Sequence, residues 1–137
     1  MPKYRDKMRL RRYLAKYGEC DSLTEYLILE GYPDEYIKVG LEPFVSSWED
    51  SVQWIVESVD LEDYDNDLFA RTCLHLALQH ASPEQKAIFS SRIKKADEVF
   101  IQNTIEEDSP CGTYPEEINE SNKNMHWWLY RIPNGKG

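Results

Sequence analysis

Apolar side chains recur at helical intervals along most of the chain, and each run meets a stop or start signal. Tyr4, Met8, Leu10, Leu14 and Tyr17 supply the apolar side of a first helix, about Lys3 to Tyr17, ended by Gly18 at the C′ position. Ser22-Leu23-Thr24-Glu25 reads as a capping box. It opens a short helix through Leu23, Tyr26, Leu27 and Leu29, stopped by Gly31. Pro33 suits the first position of another short helix over Asp34 to Val39, closed by Gly40. Ser46-Ser47-Trp48-Glu49 reads as a second capping box, and Trp48, Val52, Ile55, Val56 and Val59 then fall on one stripe.

The next helix is expected from Asp67 to about His80, with Leu68, Phe69, Thr72, Cys73, Leu76 and Ala77 inward. Ser82-Pro83-Glu84-Gln85 combines an N-cap serine, a proline at the first helical position and a glutamine at the third. This is the strongest local signal in the chain. The helix it opens extends toward Thr104 with Ile88, Phe89, Ile93, Ala96, Val99 and Phe100 in phase. Only two residues, Ala81 and Ser82, separate it from the helix before, which predicts an antiparallel hairpin. Residues 107–124 are rich in turn formers and read as a loop. Met125 to Pro133 is aromatic and β-prone, an extended tail that forms at most a two-stranded ribbon. The expectation is one all-α domain over residues 1–137, a bundle of five or six helices with an extended or β aromatic tail.

Length and composition agree with that picture. A chain of 137 residues buries roughly 70% of its unfolded surface, enough for a core without staples. Aromatics at 12% and hydrophobic residues at 41% exclude a disordered polyanion, although mean hydropathy is −0.67. The longest apolar runs, Tyr26 to Leu29 and Trp127 to Tyr130, fall far short of the about 20 residues a membrane span needs. Cys20, Cys73 and Cys111 are an odd set that makes no disulfide framework, so a reduced cytoplasmic setting is expected.

Charge changes the picture more. The net charge is −9, and it is polarised. Residues 1–18 hold seven bases against Asp6, a local +6. Residues 19–68 hold fifteen acids against Lys38, a local −14, and the remainder is near neutral. No apolar segment follows the basic N-terminus, so it is not a secretory signal. A mitochondrial presequence is basic and amphipathic, but Asp6 and the direct run into helical sequence speak against one. The favoured reading is a first helix able to lie against the acidic block, with a partner-binding role as its alternative. Overall acidity argues against nucleic acid as the main ligand, because phosphate is repelled.

The densest acids are Glu57, Asp60, Glu62, Asp63, Asp65 and Asp67. A calcium loop counted from Asp63 would need Gly at its sixth and Glu at its twelfth position, where Leu68 and Leu74 stand. The acids therefore read either as solvated surface or as a contact surface for a basic partner. His75 and His80 lie about 140° apart around a helix and do not converge on a metal. Cys73 and His80 share a face, but two ligands make no site, and no metal or cofactor is expected. No glycine-flanked serine elbow, P-loop or dinucleotide fingerprint occurs, so no enzyme and no small-molecule substrate are expected. In an extended tail Trp128 and Tyr130 share one face and Trp127, Leu129 and Arg131 the other. One face completes the core. The other would leave Trp127 and Arg131 outward, residue types that dominate binding hot spots, although core packing is the favoured reading for these aromatics.

A small, acidic, tryptophan-rich, mostly helical chain without catalytic machinery resembles the immunity proteins of bacterial contact-dependent inhibition and other polymorphic toxin systems. The segment Glu106 to Gly112 (EEDSPCG) is similar to the acidic segment of colicin-nuclease immunity proteins. It departs from them in having Tyr114-Pro115 after the Asp-Ser-Pro in place of an aromatic pair before it, so it does not place the chain in that family. The resemblance implies a cognate protein toxin as partner, a basic nuclease domain, drawn in by charge and held by aromatic anchors. A helical adaptor and an acidic nucleic-acid mimic are the alternatives. The residues expected to bind the partner are Glu57, Asp60, Glu62, Asp63, Asp65, Asp67, Trp127 and Arg131.

Overall fold

The computed structural model describes residues 2–57, 63–110 and 125–134. Among the described residues there are six helices: α1 (Tyr4–Tyr17), α2 (Ser22–Leu29), α3 (Asp34–Val39), α4 (Glu42–Glu57), α5 (Tyr64–Leu78) and α6 (Pro83–Gln102). Strand β1 (Thr104–Glu106) pairs antiparallel with β2 (Arg131–Pro133), with Ile105 opposite Ile132. A 3-10 turn over Trp127–Tyr130 leads into β2. The architecture is all-α, with one minimal ribbon.

α4 is the organising element. Phe44, Val45, Trp48, Val52 and Ile55 are buried along it, a stripe wide enough to receive α5 on one flank and α6 on the other. α3 leads into α4, α2 touches α3 and α5, and α1 lies outside on α2. The Trp48 ring meets Phe100 of α6 edge-on at 5.2 Å. Trp128 plugs the core from the tail, and its indole N–H donates to the Thr72 hydroxyl at 2.9 Å. Both large rings thus bury their area with the polar tip satisfied.

Local signals place most helix ends. At α6 the Ser82 hydroxyl accepts from the Gln85 N–H at 3.1 Å, and the Gln85 side chain accepts from the Ser82 N–H at 2.7 Å. Gly18, Gly31 and Gly40 all adopt positive φ where helices stop.

Six expectations need correction. Asp21, not Ser22, caps α2, its carboxylate accepting from the Thr24 N–H at 2.8 Å. An ionised carboxylate is the stronger acceptor at a helix start. α4 begins at Glu42, a full turn before the supposed box at Ser46. The Leu41 carbonyl already accepts from Phe44 and Val45, Pro43 suits the first turn, and the Ser46 hydroxyl is spent on Glu42. α5 starts at Tyr64, three residues before Asp67.

The antiparallel hairpin is α4–α5, because Asp67 of α5 bonds Ser51 while Cys73, further along α5, bonds Tyr32, whose ring packs on Phe44 near the start of α4. α5 and α6 each pack chiefly on α4 and meet through the Arg71–Asp97 ion pair. The tail is not extended throughout. Its 3-10 turn buries the consecutive Trp128, Leu129 and Tyr130 together, which alternation in a strand forbids.

α1 departs from its expected packing as well. Its sole buried residue is Asp6, while Tyr4 is 77% and Tyr17 57% exposed. The helix is held by polar contacts, chiefly the Arg9 guanidinium on the Tyr32 carbonyl and the Asp34 carboxylate, each at 2.7 Å. It therefore meets the acidic block at Asp34.

Candidate protein-binding surface

The acids singled out from sequence gather where α4 ends and α5 begins. Glu57 is exposed in the last turn of α4 and accepts from the Gln53 amide at 2.6 Å. It sits at the negative end of a helix, where the peptide dipoles disfavour a carboxylate. Asp63, Asp65 and Asp67 occupy the opening turn of α5, where the peptide dipoles favour negative charge. Asp63 and Asp65 are exposed, and neither joins an ion pair among the described residues. Asp60 and Glu62 lie outside the described residues.

Asp67 differs from its neighbours. Partial burial, then the nearby Asp63 charge, raises its carboxyl to about 6, opposed by a hydrogen bond from Ser51.

Trp127 and Arg131 have structural partners. The Arg131 side chain is 14% exposed. It donates to the Thr104 hydroxyl at 2.7 Å, the Thr104 carbonyl at 2.9 Å and the Ile101 carbonyl at 3.2 Å. It ties the tail to the end of α6. Trp127 is half-buried, perpendicular to Trp128 and 5.9 Å from Phe100. Its remaining surface lines a shallow groove of about 650 Å³ with Leu78, Ile93 and Ile101. The tail is not remote from the acids, because the Tyr64 hydroxyl donates to the Arg131 carbonyl at 2.6 Å.

The residue that sequence reasoning passed over is Trp54, 65% exposed on α4. Asp50 stands four residues before it and Glu57 three after, so all three share one face, and both acids are exposed. Its signal was present in the sequence: a tryptophan out of phase with the stripe of Trp48, Val52 and Ile55, flanked by acids. Val56 and Phe69 add exposed apolar area, 40% and 42% open to solvent.

Among the described residues, no three His, Cys, Asp or Glu side chains converge as a metal site. His75 does not meet His80. It lies 5.2 Å from His126 and 5.2 Å from Trp128. Burial, then the His126 and Arg71 charges, pulls its imidazole down to about 4. Cys20 and Cys73 are free thiols. Among the described residues no helix is long and apolar enough to cross a membrane. Compared with known proteins, the chain matches no family model, no curated protein and no solved structure.

Proposed function

We propose that the chain is an immunity-type inhibitor that binds and neutralises a cognate basic toxin domain of the nuclease kind. In this reading the protein is non-catalytic, uses no cofactor and acts on neither nucleic acid nor membrane. The observation that carries it is Trp54, 65% exposed between the carboxylates of Asp50 and Glu57 on one helical face. A large apolar ring ringed by acid is costly to leave in water and matches a basic surface with an apolar pocket. The acids raise the encounter rate by long-range attraction, and the tryptophan supplies the desolvated contact that slows dissociation.

The test is co-expression and co-purification with the product of the adjacent gene, followed by kinetics of the complex. A stoichiometric complex with a toxic domain is expected. Its association rate should fall steeply with added salt, and Trp54→Ala should weaken it about 30-fold or more. An association rate indifferent to ionic strength would count decisively against the proposal. So would inhibition of several unrelated nucleic-acid-binding proteins, which is the behaviour of a nucleic-acid mimic.

One observation favours a second reading, a helical adaptor. The groove along α6 floored by Ile93, Ile101 and Trp127 is apolar and lies outside the acidic block. An adaptor would bind its partner there, so Ile101→Glu would abolish binding while Trp54→Ala left it intact. The inhibitor reading expects the reverse.

A further inference from the structure

We propose that the cleft between α1 and α3 binds a phosphorylated ligand of nucleotide size. Arg9, Arg12 and Lys16 on α1 face it together with Lys38 on α3, and the one carboxylate in its lining is Asp34. Four cations converging against one acid is the inverse of the chain's overall −9. Asp34 offsets Arg9 alone, so the remaining three cations repel one another, and a bound anion relieves that repulsion.

Arg9 is already committed and rigid, anchored on Tyr32 and Asp34. Arg12, Lys16 and Lys38 join no ion pair among the described residues, and all three are exposed. The fixed arginine therefore sets one wall of the cleft, and three free cations remain for a ligand. A guanidinium fork suits phosphate oxygens, and lysines add point charge.

The rest of the lining says what accompanies the phosphate. Tyr13 and Tyr17 lie side by side with ring centroids 4.6 Å apart, and the Lys16 ammonium sits 5.2 Å over the Tyr17 ring. Ile28 and Ile37 complete an apolar side. A flat apolar group beside an anionic group would use both halves of such a cleft. Its volume, about 640 Å³, lies within the roughly 300–1,000 Å³ of small-ligand sites. An acidic peptide satisfies the cations and leaves the tyrosines unused. The inference is independent of the acidic surface and needs no toxin partner for its test.

The experiment is calorimetric titration of the full chain with ATP and with inorganic tripolyphosphate, without metal, at physiological ionic strength. Saturable one-to-one binding of ATP is expected, with tripolyphosphate weaker. Arg12→Glu and Lys38→Glu should each weaken both ligands about tenfold or more. Tyr17→Ala should weaken ATP and leave tripolyphosphate unchanged. These side chains are exposed, so circular dichroism should report intact helices in every variant. Absence of saturable binding below millimolar ATP would overturn the proposal, as would affinities untouched by the charge reversals. Tripolyphosphate binding as tightly as ATP, with Tyr17→Ala silent, would overturn the nucleotide assignment. Binding of a polyglutamate peptide in place of ATP would overturn it in favour of an acidic protein segment.

Discussion

Replacing Asp97 with alanine removes the one acceptor shared by two distant core groups. Its Oδ1 accepts from the Trp48 indole N–H at 2.8 Å and from Arg71 Nε at 2.9 Å, and its Oδ2 accepts from an Arg71 terminal nitrogen at 3.1 Å. Arg71 is buried, with its guanidinium carbon 4.8 Å from the Trp128 ring centre and 5.6 Å from that of Trp127. Without Asp97 the cation keeps, among the described residues, only those ring faces, and Trp48 loses its partner. Breaking a buried ion pair by removing one partner costs about 3–5 kcal/mol. The Asp97 side chain is itself 19% exposed, so water partly replaces it and the lower end applies. For a chain of this size that corresponds to a fall in Tm of roughly 10–15 °C.

Urea and thermal unfolding of Asp97→Ala, Arg71→Met and the double variant close a mutant cycle. The expected coupling between the two sites is about 1–3 kcal/mol, with the double variant much less destabilised than the singles combined. Additivity within about 0.5 kcal/mol would refute the claim that the pair acts as a unit joining α5 to α6.

Three further outcomes follow from the same structure. Ser82→Ala dissolves the capping box of α6 and should cost about 1 kcal/mol in chemical denaturation, most of it recovered by Ser82→Asp. Gly31 has φ +83°, so Gly31→Ala forces a left-handed alanine and should cost about 1–2 kcal/mol, although the space beside Asp6 admits a methyl group. pH should act through two groups of opposite sign. His75, held at about 4 in the folded chain against 6.5 when free, withdraws stability as pH falls from about 6.5 to 4. Asp67, raised from 3.8 to about 6, adds stability as pH falls through about 6. Asp67→Asn should therefore be more stable than the parent at pH 8, with the advantage shrinking below pH 6. An advantage that stays constant across that range would exclude strain at Asp67.

Within the chain, local order declared itself through groups three or four residues apart. The serine, proline and glutamine at the start of α6 and the glycines at positions 18, 31 and 40 act on their own turn, so they read correctly in isolation. So did the helical period that makes the fold all-α. Choices among competing local signals did not. Ser22 and Asp21 both suit a cap, and Ser46 suits a helix start, but Asp21 took the cap of α2. The burial of Phe44 and Val45 carried α4 a turn further back.

What the tertiary structure alone decided is which groups meet across long separations and which remain outside. Trp48 and Asp97 are 49 residues apart, and Trp128 and Thr72 are 56 apart. No periodicity encodes such pairs, because their energy appears only once α4 lies between α5 and α6. The same packing left Trp54 in solvent among acids, tucked the Arg131 side chain against Thr104, and set along a cleft three cations that join no ion pair among the described residues. The polarised charge was a property of the sequence. Which of the described charges meets a neighbour and which meets water was settled by the burial of apolar surface around α4.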